Sequence, residues 1–251
     1  MQSHTPNPVS RWNKKAFTLV EMLVVIAIIS ILMTAGSIGL SGMGGKGVTS
    51  GVATAESLFD EARTTAVGRN IRACVLVAQT MTNNPGDDLR RMVVAYESVK
   101  ADGTPADPTN ANPIWVLSSR GAVLPDQTFF SSKFSKKNHT SGSGQPDTIS
   151  DTAIRDAAGS ALKATSPFKG SYFIYEFNSQ GICKTPGASF IIGTGSRPLS
   201  KSATAEPPRA TAGAKRDFGG FVIWRNGRTS LFRSPEQMGS NVNSINSGDT
   251  F

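Results

Sequence analysis

The sequence predicts an α+β fold, in which a long hydrophobic N-terminal helix runs into an amphipathic helix that packs on an antiparallel β-sheet. Three patterns in the 251 residues support this fold class. An apolar run comes first, a segment with apolar residues at helical spacing follows, and short β-branched and aromatic runs between turn residues occupy the rest. The length is sufficient for one domain, or two small ones, with a real core.

The first predicted helix is the apolar run at residues 17–40, which contains 24 residues and no Lys or Arg. As a helix it would be about 36 Å long, enough to cross a hydrocarbon core of about 30 Å. Arg11, Lys14 and Lys15 precede the run, and no basic residue follows it before Lys46. The positive-inside rule therefore predicts a single-pass membrane helix with residues 1–16 in the cytoplasm and the rest of the chain exported.

One acidic residue, Glu21, interrupts the apolar run. A signal peptide gains nothing from such a carboxylate, which costs up to about 2.5 to 3.5 kcal/mol at mid-membrane. An acid inside a membrane helix is a functional hypothesis, because its ionised form needs a partner. Two alternatives remain open: Glu21 is tolerated near the interface, or the protein is an ordinary exported protein whose signal peptide is cut near Ala35.

The residues from Lys14 to Ile28, KKAFTLVEMLVVIAI, resemble the N-terminal cleavage and methylation motif of type IV prepilins and pseudopilins. The resemblance implies that a prepilin peptidase recognises the segment around Lys14 and Lys15, cuts between Ala16 and Phe17, and methylates the new amine of Phe17. Residues 1–16 would then be a cleaved leader. The family has Gly at the position of Ala16, and we expect cleavage to be kept because alanine is the smallest step from glycine.

The resemblance also implies a role for Glu21, which would become the fifth residue of the mature chain. Removal of the leader creates a cation at the amine of Phe17. When helices bundle, that amine and the Glu21 carboxylate of a neighbouring subunit can pair, which would fix the stagger between subunits. The partners implied are other pilin or pseudopilin subunits and the assembly platform of the bacterial inner membrane.

The segment at 41–50 is rich in glycine and is expected to be a loosened joint between anchor and head, since each glycine weakens a helix by roughly 1 kcal/mol. Its residues 42–47, GMGGKG, match the G-x-G-x-x-G pattern of dinucleotide-binding loops. That pattern needs a strand before it and a helix after it, whereas here the apolar helix precedes it. We therefore predict no phosphate site and no cofactor.

The exported head is predicted to occupy residues 51–251. Apolar residues at helical spacing, among them Leu58, Phe59 and Ala62, predict an amphipathic helix at 51–69 whose apolar stripe packs on a sheet. The hairpin at 221–232 has Asn226-Gly227 at its centre, which suits a two-residue type I′ turn. The predicted strands are 71–77, 92–99, 114–117, 172–177, 190–192, 221–224 and 229–232.

Within the pilin family, the head is most similar to the GspH/FimT type of minor pseudopilins of type II secretion and their pilus counterparts. The similarity lies in residues 56–72, in 177–181 and in the terminal hairpin. Stretches rich in Ser, Thr, Pro and Gly are predicted as surface loops or disordered insertions, and the C-terminal tail is similarly polar. These segments are 101–112, 131–166, 194–216 and the tail 234–251.

Cys74 and Cys183 are the only thiols, and both fall in the exported part, where disulfides persist. A bond between them would close a loop of about 110 residues and stabilise the fold by a little under about 5 kcal/mol. The alternative is two buried free thiols, because Cys74 alternates with apolar neighbours that face a core.

The composition favours a structural protein rather than an enzyme. There are two histidines, His4 and His139, in polar surroundings far apart in sequence, and with two cysteines this excludes a zinc ribbon or a His-rich metal site. Neither a glycine-flanked serine elbow nor a close constellation of carboxylates that suggests catalysis occurs. We expect a filament subunit with neither catalytic site nor metal.

The basic excess allows a second class of function. The net charge is +8, of which the first sixteen residues supply +3, so the mature chain carries +5. Arg225, Arg228 and Arg233 cluster at the last hairpin, and three lysines lie at 133–137. Because some FimT-like pilins are DNA receptors, a DNA-binding minor pilin is the alternative. The modest charge and the absence of interleaved aromatic residues argue against it.

Overall fold

The computed structural model describes residues 19–41, 43–100, 113–118, 120–210, 217–239, 242, 244–246 and 248–250. The chain divides into two compact units, Met1–Ser41 and Gly42–Phe251. The fold class is α+β, as predicted: an N-terminal helix is followed by a second helix and by antiparallel-rich β-structure.

The first unit contains helix α1, Leu19–Ser41. Side chains are described from Leu19 to Ser30, and the large apolar ones among them are exposed, Leu19 at 81% and Ile29 at 45%. In the part of the chain that the structure describes, no helix is both long enough and apolar enough to span a bilayer.

The second unit begins with helix α2, Met43–Arg69. The glycines from residue 43 onward, which we expected to form a loosened joint at 41–50, are therefore helical. Packing explains the difference. A Cβ added at Gly51 would lie 2.8 Å from Ile192 Cδ1, and one added at Gly47 would lie 3.1 Å from Thr128 Oγ1. The glycines bring α2 close to the β-structure, and this tertiary contact outweighs their poor helix propensity.

Twelve strands follow in the described residues, and they form two sheets. The first has the order β6-β8-β1-β2-β3-β7, with β4 beside β2, and the second has the order β10-β9-β11-β12, with β5 beside β9. Among the described strands, every pair is antiparallel except β3 with β7. The bounds are β1 Ala73–Met81, β2 Arg91–Glu97, β3 Trp115–Leu117, β4 Ala122–Val123, β5 Thr128–Phe130, β6 Asp147–Ser150, β7 Ile154–Arg155, β8 Gly170–Phe177, β9 Ala188–Ser196, β10 Arg209–Ala210, β11 Phe218–Ile223 and β12 Thr229–Leu231.

The main core lies between α2 and the two sheets. Phe59 of α2 is fully buried and makes edge-to-face contacts with four rings, at centroid distances from 5.1 to 6.3 Å. Such contacts stabilise by about 0.5 to 1.5 kcal/mol each beyond the burial of area. Because the four rings come from both sheets, Phe59 joins the sheets as well as the helix; they belong to Tyr175, Phe177, Phe190 and Phe221.

The segment 131–166 is part of the fold, contrary to our expectation of a surface loop. It contains β6 and β7, which lie at opposite ends of the first sheet and are joined by the short 3₁₀ turn Asp151–Ala153. The first sheet thus curls around a second core on its face away from α2. Alternate residues of β1 point to that face and need cover, which Ile154 helps to supply against Trp115 and Tyr172.

The segment 194–216 also departs from the predicted loop. Strand β9 continues to Ser196, and β10 lies at Arg209–Ala210. Between them, Ala203 N donates to the buried Asp88 carboxylate at 2.7 Å, and Arg197 Nη1 lies 3.7 Å from the same carboxylate. This buried ion pair holds in place a segment that contains few apolar residues. Residues 101–112 and 211–216 lie outside the described residues.

The polar tail 234–251 also contributes to the core. It contains the short helix α3, Pro235–Met238. Met238, Val242 and Ile245 are buried in the main cluster. These three apolar side chains dock the polar tail on the core. Their burial was not predicted from the sequence because they are isolated from one another.

The terminal hairpin, β11 with β12, forms with a different turn from the predicted one. Gly227 N donates to Trp224 O, and Trp224 N donates to Arg228 O, both at 2.9 Å. Gly227 has φ of +74°, but Asn226 is not among the residues with positive φ. A type I′ turn needs positive φ at both central residues, so this is a type I turn followed by a left-handed glycine.

Candidate functional site

The N-terminal region carries the first set of predicted site residues. Lys14, Lys15, Ala16 and Phe17 lie outside the described residues. The described part of α1 begins two residues after Phe17 and has Glu21 in its first turn. A carboxylate is favourable there because the N-terminal end of a helix carries partial positive charge.

Glu21 is exposed in α1 and is surrounded in sequence by exposed apolar side chains. Leu19, Val20, Met22 and Leu23 have 52% or more of their surface accessible. A helix that is apolar on every side is unusual on a soluble surface and is typical of one that packs against other helices or lipid. The first unit therefore offers one acidic group within an apolar surface.

The second predicted set, Arg225, Arg228 and Arg233, lies around the terminal hairpin, and all three residues are exposed. Arg225 lies in the turn, Arg228 pairs with Trp224 at its base, and Arg233 follows β12. The turn is held against α2, since Arg63 Nε donates to Asn226 O at 3.1 Å and the side chain of Arg63 covers Gly227. The structure thus places Arg225 and Arg228 at the turn of the hairpin, which is held against α2, and Arg233 at the other end of β12.

The two cysteines are free thiols, which is the second of the alternatives we left open. Cys74 pairs with Glu176 across β1 and β8, whereas Cys183 pairs with Phe177, the next residue of β8. Successive residues of a strand point to opposite faces, so the two thiols lie in different core clusters. Burial raises the pKa of both cysteines, which keeps the thiols protonated and unreactive.

A charged network lies beside Cys74 at the rim of the second core. Arg72 donates to both carboxylate oxygens of Glu97, at 2.6 and 2.8 Å, and lies 3.8 Å from Glu176. Lys184 completes the network with a 2.8 Å bond to Glu176. Each buried carboxylate has a basic partner, so the network is satisfied as a structural element. Among the described residues, no group of three His, Cys, Asp or Glu side chains could hold a metal ion.

Residues 13–37 match the model of the prokaryotic N-terminal methylation motif. The chain therefore carries a prokaryotic N-terminal methylation motif. The matched segment includes Lys14, Lys15, Ala16, Phe17 and Glu21. The methylation motif predicted from the sequence is therefore confirmed.

The crystal structure of the type IV minor pilin FimU from Pseudomonas aeruginosa (strain PAO1) matches with 13% identity and a TM-score of 0.33. The match covers 76% of this chain and 95% of that one. No protein of curated function matches significantly.

Proposed function

We propose that the chain is a structural subunit of an envelope filament, made as a prepilin and assembled through its N-terminal helix. The observation that carries the proposal is the methylation motif, which ends inside α1. Prepilin peptidase would cut between Ala16 and Phe17 and methylate Phe17. The mature protein would be held in the bacterial inner membrane by residues 17–40, with its head in the periplasm, until it enters the filament.

The features of α1 support assembly by helix bundling. Its described apolar side chains are exposed, and an apolar surface of this kind is covered only by lipid or by other helices. Glu21 would meet the new amine of Phe17 of a neighbouring subunit, and the low dielectric around the bundle would make a mismatch costly. The partners are therefore other pilin or pseudopilin subunits, together with the assembly platform.

A minor subunit of a type II secretion pseudopilus, or of a type IV pilus, is the assignment that we favour. It is supported by the similarity of residues 56–72 and of the terminal hairpin to GspH/FimT proteins. A structural role also agrees with the head, whose buried Glu97 and Glu176 carboxylates are paired with Arg72 and Lys184.

The Glu21→Ala variant tests the assembly role. The protein should still insert in the membrane, but its amount in the sheared filament fraction should fall severalfold, because the amine of the neighbouring Phe17 loses its partner. Asp60→Ala, which removes an exposed carboxylate from α2, is the matched control and should assemble normally. Equal incorporation of Glu21→Ala and the native protein would contradict the proposed role.

Nucleic-acid binding by the head is a second candidate function. The specific observation in its favour is the exposure of Arg225, Arg228 and Arg233 around one rigid hairpin. Phosphate contacts of this kind make affinity fall steeply with salt. The detergent-solubilised chain should bind DNA at low salt, and the triple change of these arginines to Ala should abolish binding. No binding by the native chain at low salt would remove this candidate.

A further inference from the structure

Trp224 exposes 49% of its surface at the end of β11. Its indole Nε1 donates to Ser230 Oγ at 2.7 Å, and Ser230 pairs with Val222 across the hairpin. Residues directly opposite in antiparallel strands share a face, so Trp224 lies on the hairpin face that points away from α2. Phe221 and Ile223 occupy the other face and are fully buried in the main core.

The same outward face continues beyond β12 to Phe232, whose N–H donates to Gly220 O. The ring of Phe232 is 4.7 Å from the ring of His139, measured between centroids. His139 is further held by α3, since its Nε2 and Gln237 O are 2.5 Å apart. The outward face of the hairpin therefore adjoins the segment that contains His139.

A groove of about 540 Å³ begins at His139 and runs between the 133–142 segment and α3. Lys133 and Lys136 line it together with the apolar side chains of Phe134 and Met238. No Asp or Glu is among the described residues that line this groove. The third lysine of the segment, Lys137, does not line it and is paired with Asp147. The groove thus combines two cations with an apolar floor.

We infer that this outward surface, formed by Trp224, His139, the two groove lysines and the hairpin arginines, binds single-stranded nucleic acid. Trp224 supplies a stacking platform for a base. Arg225 and Arg228 of the hairpin, and Lys133 and Lys136 of the groove, contact the phosphates that flank this base. The inference rests on the second candidate function and adds which form of nucleic acid the head prefers.

The choice of a single strand follows from the exposed indole. In a duplex the base faces are stacked on one another, so an aromatic side chain gains nothing from them. In a single strand each base offers a free face, and a cationic groove with aromatic platforms is the arrangement that binds it without sequence preference. Cations alone would favour a duplex, because its charge density is higher.

The test uses the detergent-solubilised full chain with a fluorescein-labelled oligothymidine and with a mixed-sequence duplex of the same length. The native protein should bind the single strand more tightly. Trp224→Ala should weaken that binding by about five-fold to a hundred-fold, the range typical of one stacked base. Trp224→Phe should restore most of the affinity, and neither variant should change duplex binding.

The groove is tested by salt dependence. Each phosphate contact to a single strand contributes about −0.7 to the slope of log affinity against log salt. Lys136→Ala should reduce the magnitude of the slope by about that amount, whereas Lys163→Ala, an exposed lysine outside the surface, should leave it unchanged. Thermal melting of each variant shows that it is folded.

The outcomes separate the inference from the function on which it rests. Binding to both probes with no effect of Trp224→Ala would overturn the single-strand inference and leave nucleic-acid binding standing. No binding to either probe would overturn both. Tighter binding to the duplex than to the single strand would also contradict the inference.

Discussion

Asp88 is a carboxylate with no solvent exposure. It accepts from Met81 N at 2.6 Å and from Ala203 N at 2.7 Å, and Arg197 is its charged neighbour. Burial raises the pKa of Asp88 above its usual value, and it lowers the pKa of Arg197. Burial of each charge therefore costs free energy, which offsets part of the stability that the hydrogen bonds provide. The pair nevertheless holds the 197–203 segment in place.

Asp88→Asn should lower the free energy of unfolding by about 1 to 3 kcal/mol at neutral pH, because the amide Nδ2 cannot accept a bond and leaves the buried N–H of Met81 or Ala203 without a partner. Urea unfolding of the detergent-solubilised chain measures the change. Asp60→Asn is the matched control, since Asp60 is an exposed carboxylate of α2. A loss equal to that of the control would show that the Asp88 carboxylate is not buried in the folded protein.

The pH dependence of stability has a defined sign at Asp88. Its folded-state pKa is raised, so the folded state holds this proton at pH values where the unfolded state has released it. As the pH falls from the folded-state pKa toward about 3.9, the native protein should gain stability relative to Asp88→Asn. Unfolding of the two proteins over this range measures the difference. A difference that grows as the pH rises would contradict the raised pKa.

The free thiols lead to a second prediction at single residues. Cys74 and Cys183 lie on opposite faces of the first sheet, so no rotation of their side chains can join them. Native protein should be inert to iodoacetamide, and unfolded protein should take up two labels without any reductant. Mass spectrometry of the intact chain gives the count. Uptake only after reduction would establish a disulfide instead.

At the scale of elements, helix α2 shows how glycine can serve packing in a helix. Gly51 lies against Ile192 and Leu124 at distances that leave no room for a side chain. Gly68 near the end of the same helix has open space around it. Gly51 thus allows close packing of the helix, whereas Gly68 makes no such contact. The two positions provide a matched pair of substitutions.

Gly51→Val should destabilise the head by about 1 to 3 kcal/mol, because the added methyl groups overpack the contact between α2 and the second sheet. Gly68→Ala should stabilise it by about 0.5 to 1 kcal/mol, because the unfolded chain loses freedom and nothing clashes. Thermal or urea unfolding measures both changes. Equal effects of the two substitutions would mean that α2 does not approach the sheet as closely as described.

Several elements were predictable because the information lies within short segments. The apolar spacing of α2 and the β-branched runs of the seven predicted strands identify elements that the structure contains. The cleavage motif is likewise local and was found in full from the sequence.

The parts that were missed depend on contacts far apart in sequence. Phe134 and Ile154 are isolated apolar residues in a polar stretch, and only the fold places them against a core. Trp224 directly follows β11, which contains the buried aromatic residues Phe218 and Phe221, so its exposure was not predicted from the sequence. Its alternation with Phe221 and Ile223 toward the core is the signal that could have located it.

At the scale of the whole molecule, the chain combines an exposed apolar helix with a head that folds around its own core. The first unit carries the methylation motif and Glu21, and the second carries the basic hairpin and the groove. We therefore assign assembly to the first unit and surface recognition to the second. The first assignment depends on processing at Phe17, which creates the amine that Glu21 is proposed to meet.

The most direct test of this account is mass spectrometry of the N-terminus of the membrane-extracted protein, from cells with and without an active prepilin peptidase. The account predicts a mature chain that begins with N-methylated Phe17, seen only when the peptidase is active. A start near Gly36 would indicate an ordinary signal peptide. That result, or an uncut chain in both strains, would contradict the account.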